Sequence, residues 1–324
     1  MKKTPPVRTQ WRTAALWRRY LFLFLIFAPT IAATCFMARL LPNKGANLIE
    51  VVLYLLFGVL FAWISTGFWT ALFGFFVLVS RYSGYSAIPD PTGPLPELAG
   101  DARTAVLIPV YNEDPVRVEA GLVATWSSLI RTGRDANFDL FILSDTTDPD
   151  LWVREEEMWY SLCRRFDARG RIFYRRRTAN IKRKSGNVAN FCRRWGKNYR
   201  YMIVLDADSV MAGDTLVRMA DAMERNSKLG ILQTPPRGVN RETLIARVQQ
   251  FASCLYGPLF GAGQSFWQLG DSQYWGHNAI IRIEPFMKHC EMPKLPGRGP
   301  LRGGILSDDF VEWAWGGGGG EWVG

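Results

Sequence analysis

The sequence predicts an α/β fold, a doubly wound and mostly parallel sheet preceded by two transmembrane helices. Three observations predict it. Residues 21–38 and 51–79 are two long runs without a single charge. Behind them, apolar segments of strand length alternate with segments of helical periodicity, the pattern of a largely parallel sheet. The apolar strand 201–205 then runs straight into Asp206 and Asp208, two carboxylates one residue apart, at the edge where such sheets place ligands.

Composition frames the rest. With 324 residues the chain holds one large domain or two ordinary ones, and 48% hydrophobic against 21% charged residues excludes a disordered polymer. Both uncharged runs are long enough to cross a bilayer core, and the second is long enough to tilt. Pro29 lies inside the first, which membrane helices tolerate. A signal peptide is the alternative for that run, but its apolar stretch would be shorter and no second span would follow so soon. The N-terminal flank carries Lys2, Lys3, Arg8, Arg12, Arg18 and Arg19 without an acid, whereas the loop 42–50 carries only Lys44 and Glu50. The positive-inside rule therefore places the N-terminus in the cytoplasm, and two crossings return the chain there. Residues 1–82 are expected to form this tail and anchor, 83–101 a Pro/Gly-rich linker, 102–312 a cytoplasmic globular domain, and 313–324 a Gly/Trp-rich tail.

Five scattered cysteines with no Cys-x-x-Cys pair argue against disulfides and zinc in a reducing compartment. The net charge of +10 includes a basic run from Arg164 to Lys184. No nucleic-acid-binding motif surrounds it, so no nucleic-acid partner is expected. An anionic membrane surface or a diphosphate uses such charge more simply.

Within the globular domain, Thr104–Val110 reads as a buried strand ending at Asn112, Glu113 and Asp114. A helix follows over 116–132. Phe138–Ser144 is a second strand, ending at Asp145 and Asp148, and 152–166 a helix rich in Glu and Arg. Residues 171–174 form a short strand, 185–195 a helix, 201–205 a strand, 214–226 a helix and 229–234 another strand. Each acidic strand end alone is a plain polar turn. Three on one edge of a parallel sheet point to a ligand site, where Asp206 and Asp208 can share one divalent cation with a diphosphate completing its shell. In Arg183-Lys-Ser-Gly-Asn187, a lysine and a glycine near a helix start present a cation and backbone N–H groups to phosphate, although a basic surface loop reads the same way. His277, in Trp275-Gly-His-Asn278, is either catalytic or a packing and hydrogen-bonding residue. Ser307-Asp308-Asp309 is either a helix N-cap or the place of a general base.

Taken in order, Pro109-Val-Tyr-Asn-Glu113, Ser144-Asp145, Arg183-Lys-Ser-Gly-Asn187, Leu205-Asp-Ala-Asp-Ser209, Gln233-Thr-Pro235 and Ser307-Asp-Asp309 resemble the motif set of the processive family 2 glycosyltransferases, which include cellulose and chitin synthases. The longer strings 142–150, 184–196 and 274–282 are similar to the branch that builds osmoregulated periplasmic glucans in Gram-negative bacteria. The resemblance covers nearly the whole chain to about Glu312. It implies a GT-A domain on a membrane anchor in the bacterial inner membrane. It implies UDP-glucose as donor, a growing β-glucan as acceptor, Mg²⁺ or Mn²⁺ as cofactor, and a periplasmic glucan-processing protein as a candidate partner. By that resemblance Asp145 contacts the uridine, and Asp206 and Asp208 hold the metal and the diphosphate. Lys184, Asn112 and Glu113 belong to the donor site, while Gln233, His277 and Asn278 serve the acceptor or the structure. Asp309 is the base that deprotonates the acceptor hydroxyl, with inversion at the sugar carbon.

Two departures stand out. The motif of the base reads Ser-Asp-Asp here, so Asp308 replaces the usual middle residue. After Glu312 the chain runs into the five glycines 316–320, which cannot sustain the helix the family carries there, with its acceptor-binding Gln/Arg-x-x-Arg-Trp motif and further membrane helices. The expectation is a truncated or frameshifted chain that binds nucleotide sugar but elongates or exports glucan poorly. A cellulose- or chitin-type synthase, and a membrane-anchored nucleotide-sugar binder without turnover, are the alternatives.

Overall fold

The computed structural model describes residues 11–80, 93–240, 242–270, 274–289 and 322–323. Asp308, Asp309 and most of the proposed linker lie outside them. In chain order the elements are α1 (Trp11–Leu40), α2 (Leu48–Ser80), β1 (Thr104–Val110), α3 (Pro115–Arg131), β2 (Phe138–Ser144), α4 (Pro149–Arg165), β3 (Ile172–Arg176), α5 (Arg183–Trp195), β4 (Tyr201–Val204), α6 (Gly213–Arg225), β5 (Leu229–Gln233), α7 (Leu244–Gln268), β6 (Ala279–Arg282), α8 (Ile283–His289) and β7 (Trp322–Val323). They group into two compact units, Met1–Tyr85 with Pro235–Ser272, and Ser86–Thr234 with Gln273–Gly324.

The first unit is α1, α2 and α7. Both α1 and α2 are long and apolar enough to cross a membrane. The turn between them closes on Glu50, whose carboxylate accepts from the backbone N–H groups of Asn43 and Gly45, each at 2.9 Å. The sequence range 102–312 counts residues 244–268 with the globular domain, but in the structure α7 packs on α1 and α2. The reason is local. A Cβ on Gly74 would stand 1.8 Å from the carbonyl oxygen of Leu259, and one on Gly263 would stand 2.0 Å from that of Thr70. Glycine at these two points lets the backbones of α2 and α7 touch, since no β-carbon holds them apart. Arg18 and Arg19 then donate to the last carbonyls of α7, at Phe266 (2.9 Å), Trp267 (3.3 Å) and Gln268 (2.6 Å), so cations complete the acceptor end of that helix. Phe22 stacks on Trp267 with centroids 4.7 Å apart.

The second unit is built on a sheet of order β3-β2-β1-β4-β6-β5-β7. β1 pairs parallel with β2 and β4, and β2 parallel with β3. β6 enters between β4 and β5 and pairs antiparallel with both. The sheet is thus mostly parallel with one reversed strand, in line with the expected fold class. Residues 322–323 of the Gly/Trp-rich tail add an edge pairing to β5.

Alternation along β1 divides the core. Val106, Ile108 and Val110 pack towards α3, α4 and α6, with Val118, Trp126, Leu162, Leu216 and Met223. Ala105 and Leu107 face α5 and α8, with Phe141, Val188, Phe191 and Phe286. Both faces are covered, so β1, β2 and β4 are buried along their length and read as mostly apolar runs, with Asp139 near the start of β2. Their polar groups are confined to the ends, and this confinement builds the site.

Candidate functional site

β1, β2 and β4 run the same way, so the residues following them share one edge. The N–H of Asp145 bonds the carbonyl of Val110 at 2.8 Å, and that of Leu205 bonds Leu107 at 3.0 Å. Asn112, Asp145 and Asp206 therefore emerge side by side.

Asn112 sits at φ 52°, a left-handed position that asparagine tolerates better than most residues. Its side-chain oxygen accepts from the backbone N–H groups of Thr147 (3.0 Å) and Asp148 (3.4 Å), and its own N–H bonds the hydroxyl of Thr146 at 3.1 Å. That hydroxyl donates to Glu155 at 2.5 Å, and the phenol of Tyr174 donates to the other carboxylate oxygen at 3.0 Å. Glu155 is wholly buried, and burial holds the Tyr174 phenol well above its ordinary pKa, protonated and able to donate. Asn112 thus latches the end of β1 to the end of β2. Glu113 is exposed. Asp114 and Asp148 cap α3 and α4 through Val116 and Asp150.

Asp145 is 5% exposed. Its two oxygens accept from Nε (2.6 Å) and Nη2 (2.5 Å) of Arg177, a planar fork on a carboxylate. Next to it Arg175 donates to the buried Asn187 at 2.7 Å, and burial together with the nearby Arg177 pushes the Arg175 guanidinium down to about 10.

Asp206 lies across β1 from this pair. Lys184, in the first turn of α5, donates to its Oδ1 at 2.6 Å and to the carbonyl of Gly276 at 2.8 Å. The Oδ2 of Asp206 faces Nδ1 of His277 at 3.9 Å, and that nitrogen is buried without a hydrogen-bond partner. Asp208 is far more open, its side chain 59% exposed and 3.8 Å from Arg117. Gln233, at the end of β5, accepts from the N–H of Trp275 at 3.0 Å, while its Nε2 is buried and unpartnered. Asn278, at φ 53°, receives the N–H of Thr234 on its carbonyl at 2.9 Å. Gln233, His277 and Asn278 thus come together where β5 meets β6.

The structure brings Asn112, Asp145, Lys184, Asp206, Asp208, Gln233, His277 and Asn278 to one edge of the sheet unit. Asp309 lies outside the described residues. Among the described residues no three His, Cys, Asp or Glu side chains are grouped closely enough to hold a metal by themselves. Asp206 and Asp208 still fit a divalent cation that takes its remaining ligands from phosphate, the usual habit of Mg²⁺. The ammonium of Lys184 on Asp206 shows that the place attracts positive charge.

Sequence reading missed Arg177, Glu155 and Thr146. Arg177 is hidden in a basic run whose members look alike. Glu155 does leave a trace, since it shares the inward stripe of α4 with Met158, Leu162 and Cys163, where a lone acid needs a buried partner.

The model of the glycosyl transferase family 2 matches residues 105–290. Among curated proteins, the chain is 55% identical over 312 residues to glucans biosynthesis glucosyltransferase H of Cupriavidus pinatubonensis and 51% identical over 311 residues to that of Ralstonia nicotianae. It is 48% identical over 332 residues to that of Pseudomonas aeruginosa. These matches take in 95%, 95% and 94% of this chain but 36%, 36% and 38% of those proteins, so the chain spans little more than a third of their length. Among solved structures, the mannosyltransferase PcManGT from Pyrobaculum calidifontis, in complex with GDP-Man and Mn²⁺, is similar with a TM-score of 0.48 and 16% identity over 79% of this chain and 61% of that one, too distant a likeness to bear on the site.

Proposed function

The chain belongs to glycosyl transferase family 2, and from that premise we propose that its sheet unit binds UDP-glucose and transfers the glucosyl group to a growing β-glucan, with inversion. The observation that carries this reading is the Lys184–Asp206–Gly276 contact on the sheet edge that also bears Asp145. The ammonium of Lys184 and two carboxylates, Asp206 and Asp208, stand there, on the edge that also bears the buried carboxylate of Asp145. The kinship with the glucosyltransferases named above supports glucose as the sugar and glucan as the product.

In this reading Asp145, oriented through both oxygens by Arg177, accepts from the uracil ring. Asp206 and Asp208 would hold Mg²⁺ or Mn²⁺, which would offset charge gathering on the departing diphosphate. Lys184 lies within reach of the same phosphates and adds a second positive charge to the leaving-group side. Gln233, His277 and Asn278 line the side where the acceptor would enter. Asp309 would take the proton from the acceptor hydroxyl, opposite the leaving group. The two long apolar helices α1 and α2 support an anchor in the inner membrane, and the basic N-terminal flank supports a cytoplasmic side for the sheet unit.

Calorimetry of the full chain in detergent, titrated with UDP-glucose with and without Mg²⁺, tests this. Binding should depend on the ion and weaken at least tenfold in Asp208→Ala. Equal, ion-independent binding by both proteins, or none by either, would remove the donor site from this sheet edge.

A further inference from the structure

We infer that Arg177 is a positioning residue that ties the nucleobase end of the donor site to its diphosphate end. The inference rests on the nucleotide-sugar reading above.

Arg177 makes more contacts than the salt bridge with Asp145. Its Nη2 also donates to the carbonyl of Arg183 at 3.0 Å, and Nη1 donates to that of Ile181 at 3.2 Å. Its backbone N–H bonds the carbonyl of Ser144, the residue before Asp145, at 3.0 Å. Through one guanidinium, the end of β2 is joined to the turn 181–183, and the side chain doing this is 11% exposed.

That turn has an unusual backbone, although the Lys182 carbonyl accepts from the Ser185 hydroxyl at 2.8 Å and the Gly186 N–H at 3.0 Å. Lys182 and Arg183 take φ 58° and 45°, the left-handed region disfavoured for residues with a β-carbon. The turn also presses onto the start of α5, where a Cβ on Gly186 would stand 2.0 Å from the carbonyl oxygen of Ile181. The residue that leaves the turn is Lys184, whose ammonium reaches Asp206 and Gly276. The order of parts is therefore Asp145, Arg177, the turn, Lys184 and Asp206. Only a planar, multi-donor cation serves this place, because its fork meets both oxygens of Asp145 while the remaining N–H groups meet two carbonyls. A lysine offers one point charge and cannot do both.

A tie of this kind predicts that a disturbance at one end is felt at the other. The probes are uridine for the base end and inorganic diphosphate with Mg²⁺ for the other, titrated into the full-length chain. Arg177→Lys should weaken both by about tenfold or more. Gly186→Ala, which displaces the Ile181 carbonyl without touching Asp145, should weaken uridine binding too, and should add little in the Arg177→Lys background. Fully additive effects, or an Arg177→Lys protein that loses uridine binding alone, would overturn the tie. Should Arg177→Lys fail to fold by circular dichroism, Gly186→Ala decides by itself: unchanged uridine affinity overturns the inference, and a loss supports it. A wild-type chain that binds neither probe would instead bring down the nucleotide-sugar reading, and this inference with it.

Discussion

Asp145 and Asp206 end the two strands that flank β1, yet they sit in opposite settings. Asp145 is buried, both oxygens fixed by one guanidinium that is itself pinned to the backbone. Asp206 is 36% exposed at its side chain and carries a lysine that is 40% exposed, while Asp208 beside it is more open still. A buried, multiply bonded carboxylate suits recognition of a constant, uncharged ring, for which the geometry must be ready beforehand. A half-open carboxylate held by a flexible ammonium suits partners that come and go, because the exchange of one cation for another costs little reorganisation near water.

The contrast can be broken most directly through stability. Asp145→Ala leaves the Arg177 charge buried and unpaired, and should lower the unfolding free energy by about 3–5 kcal/mol, read as a shift of the urea midpoint. A loss no greater than that of Asp206→Ala would mean the two ends are not different in kind. The next effect concerns the support behind the Asp145 end. Glu155→Leu strands the hydroxyls of Thr146 and Tyr174 and should cost about 2 kcal/mol, together with weaker uridine binding as the Asn112 latch loosens. The smallest effect sharpens the other side. Arg117→Ala removes a pair at 3.8 Å between two exposed side chains, and stability should stay within about 0.5 kcal/mol. A larger change there would show that the open end is more tightly built than its exposure indicates.

Much of the sheet was legible in the sequence because its parallel strands are buried on both faces and leave mostly apolar runs, broken in β2 by the buried Asp139. Thr104–Val110 and Phe138–Ser144 begin and end where the pattern puts them. The reversed strand Ala279–Arg282 escaped, since four residues between two helices carry too little pattern to stand out. α7 was hidden differently. Its glutamines, serines and Pro258 blur any periodicity, and the surface it fits lies on α2, far away in the chain. At the site, the acidic residues were visible as types at strand ends, but what each is bonded to was not. Nothing local distinguishes Arg177 from Arg175 or Arg176, and only the return of the 181–183 turn over Asp145 singles it out.

The docking of α7 on α1 and α2 bears on how this protein can be handled. The sheet unit is written in two stretches of chain, with the segment 235–272 lodged between them and belonging elsewhere. A fragment begun after α2 would therefore keep a helix stripped of its seat, with Phe22, Phe73 and Gly74 gone and Phe266, Trp267 and Gly263 laid bare. Such a fragment should self-associate. A well-behaved soluble version calls for two cuts, one that removes the leading helices and one that bridges Thr234 to residue 273 with a short flexible linker.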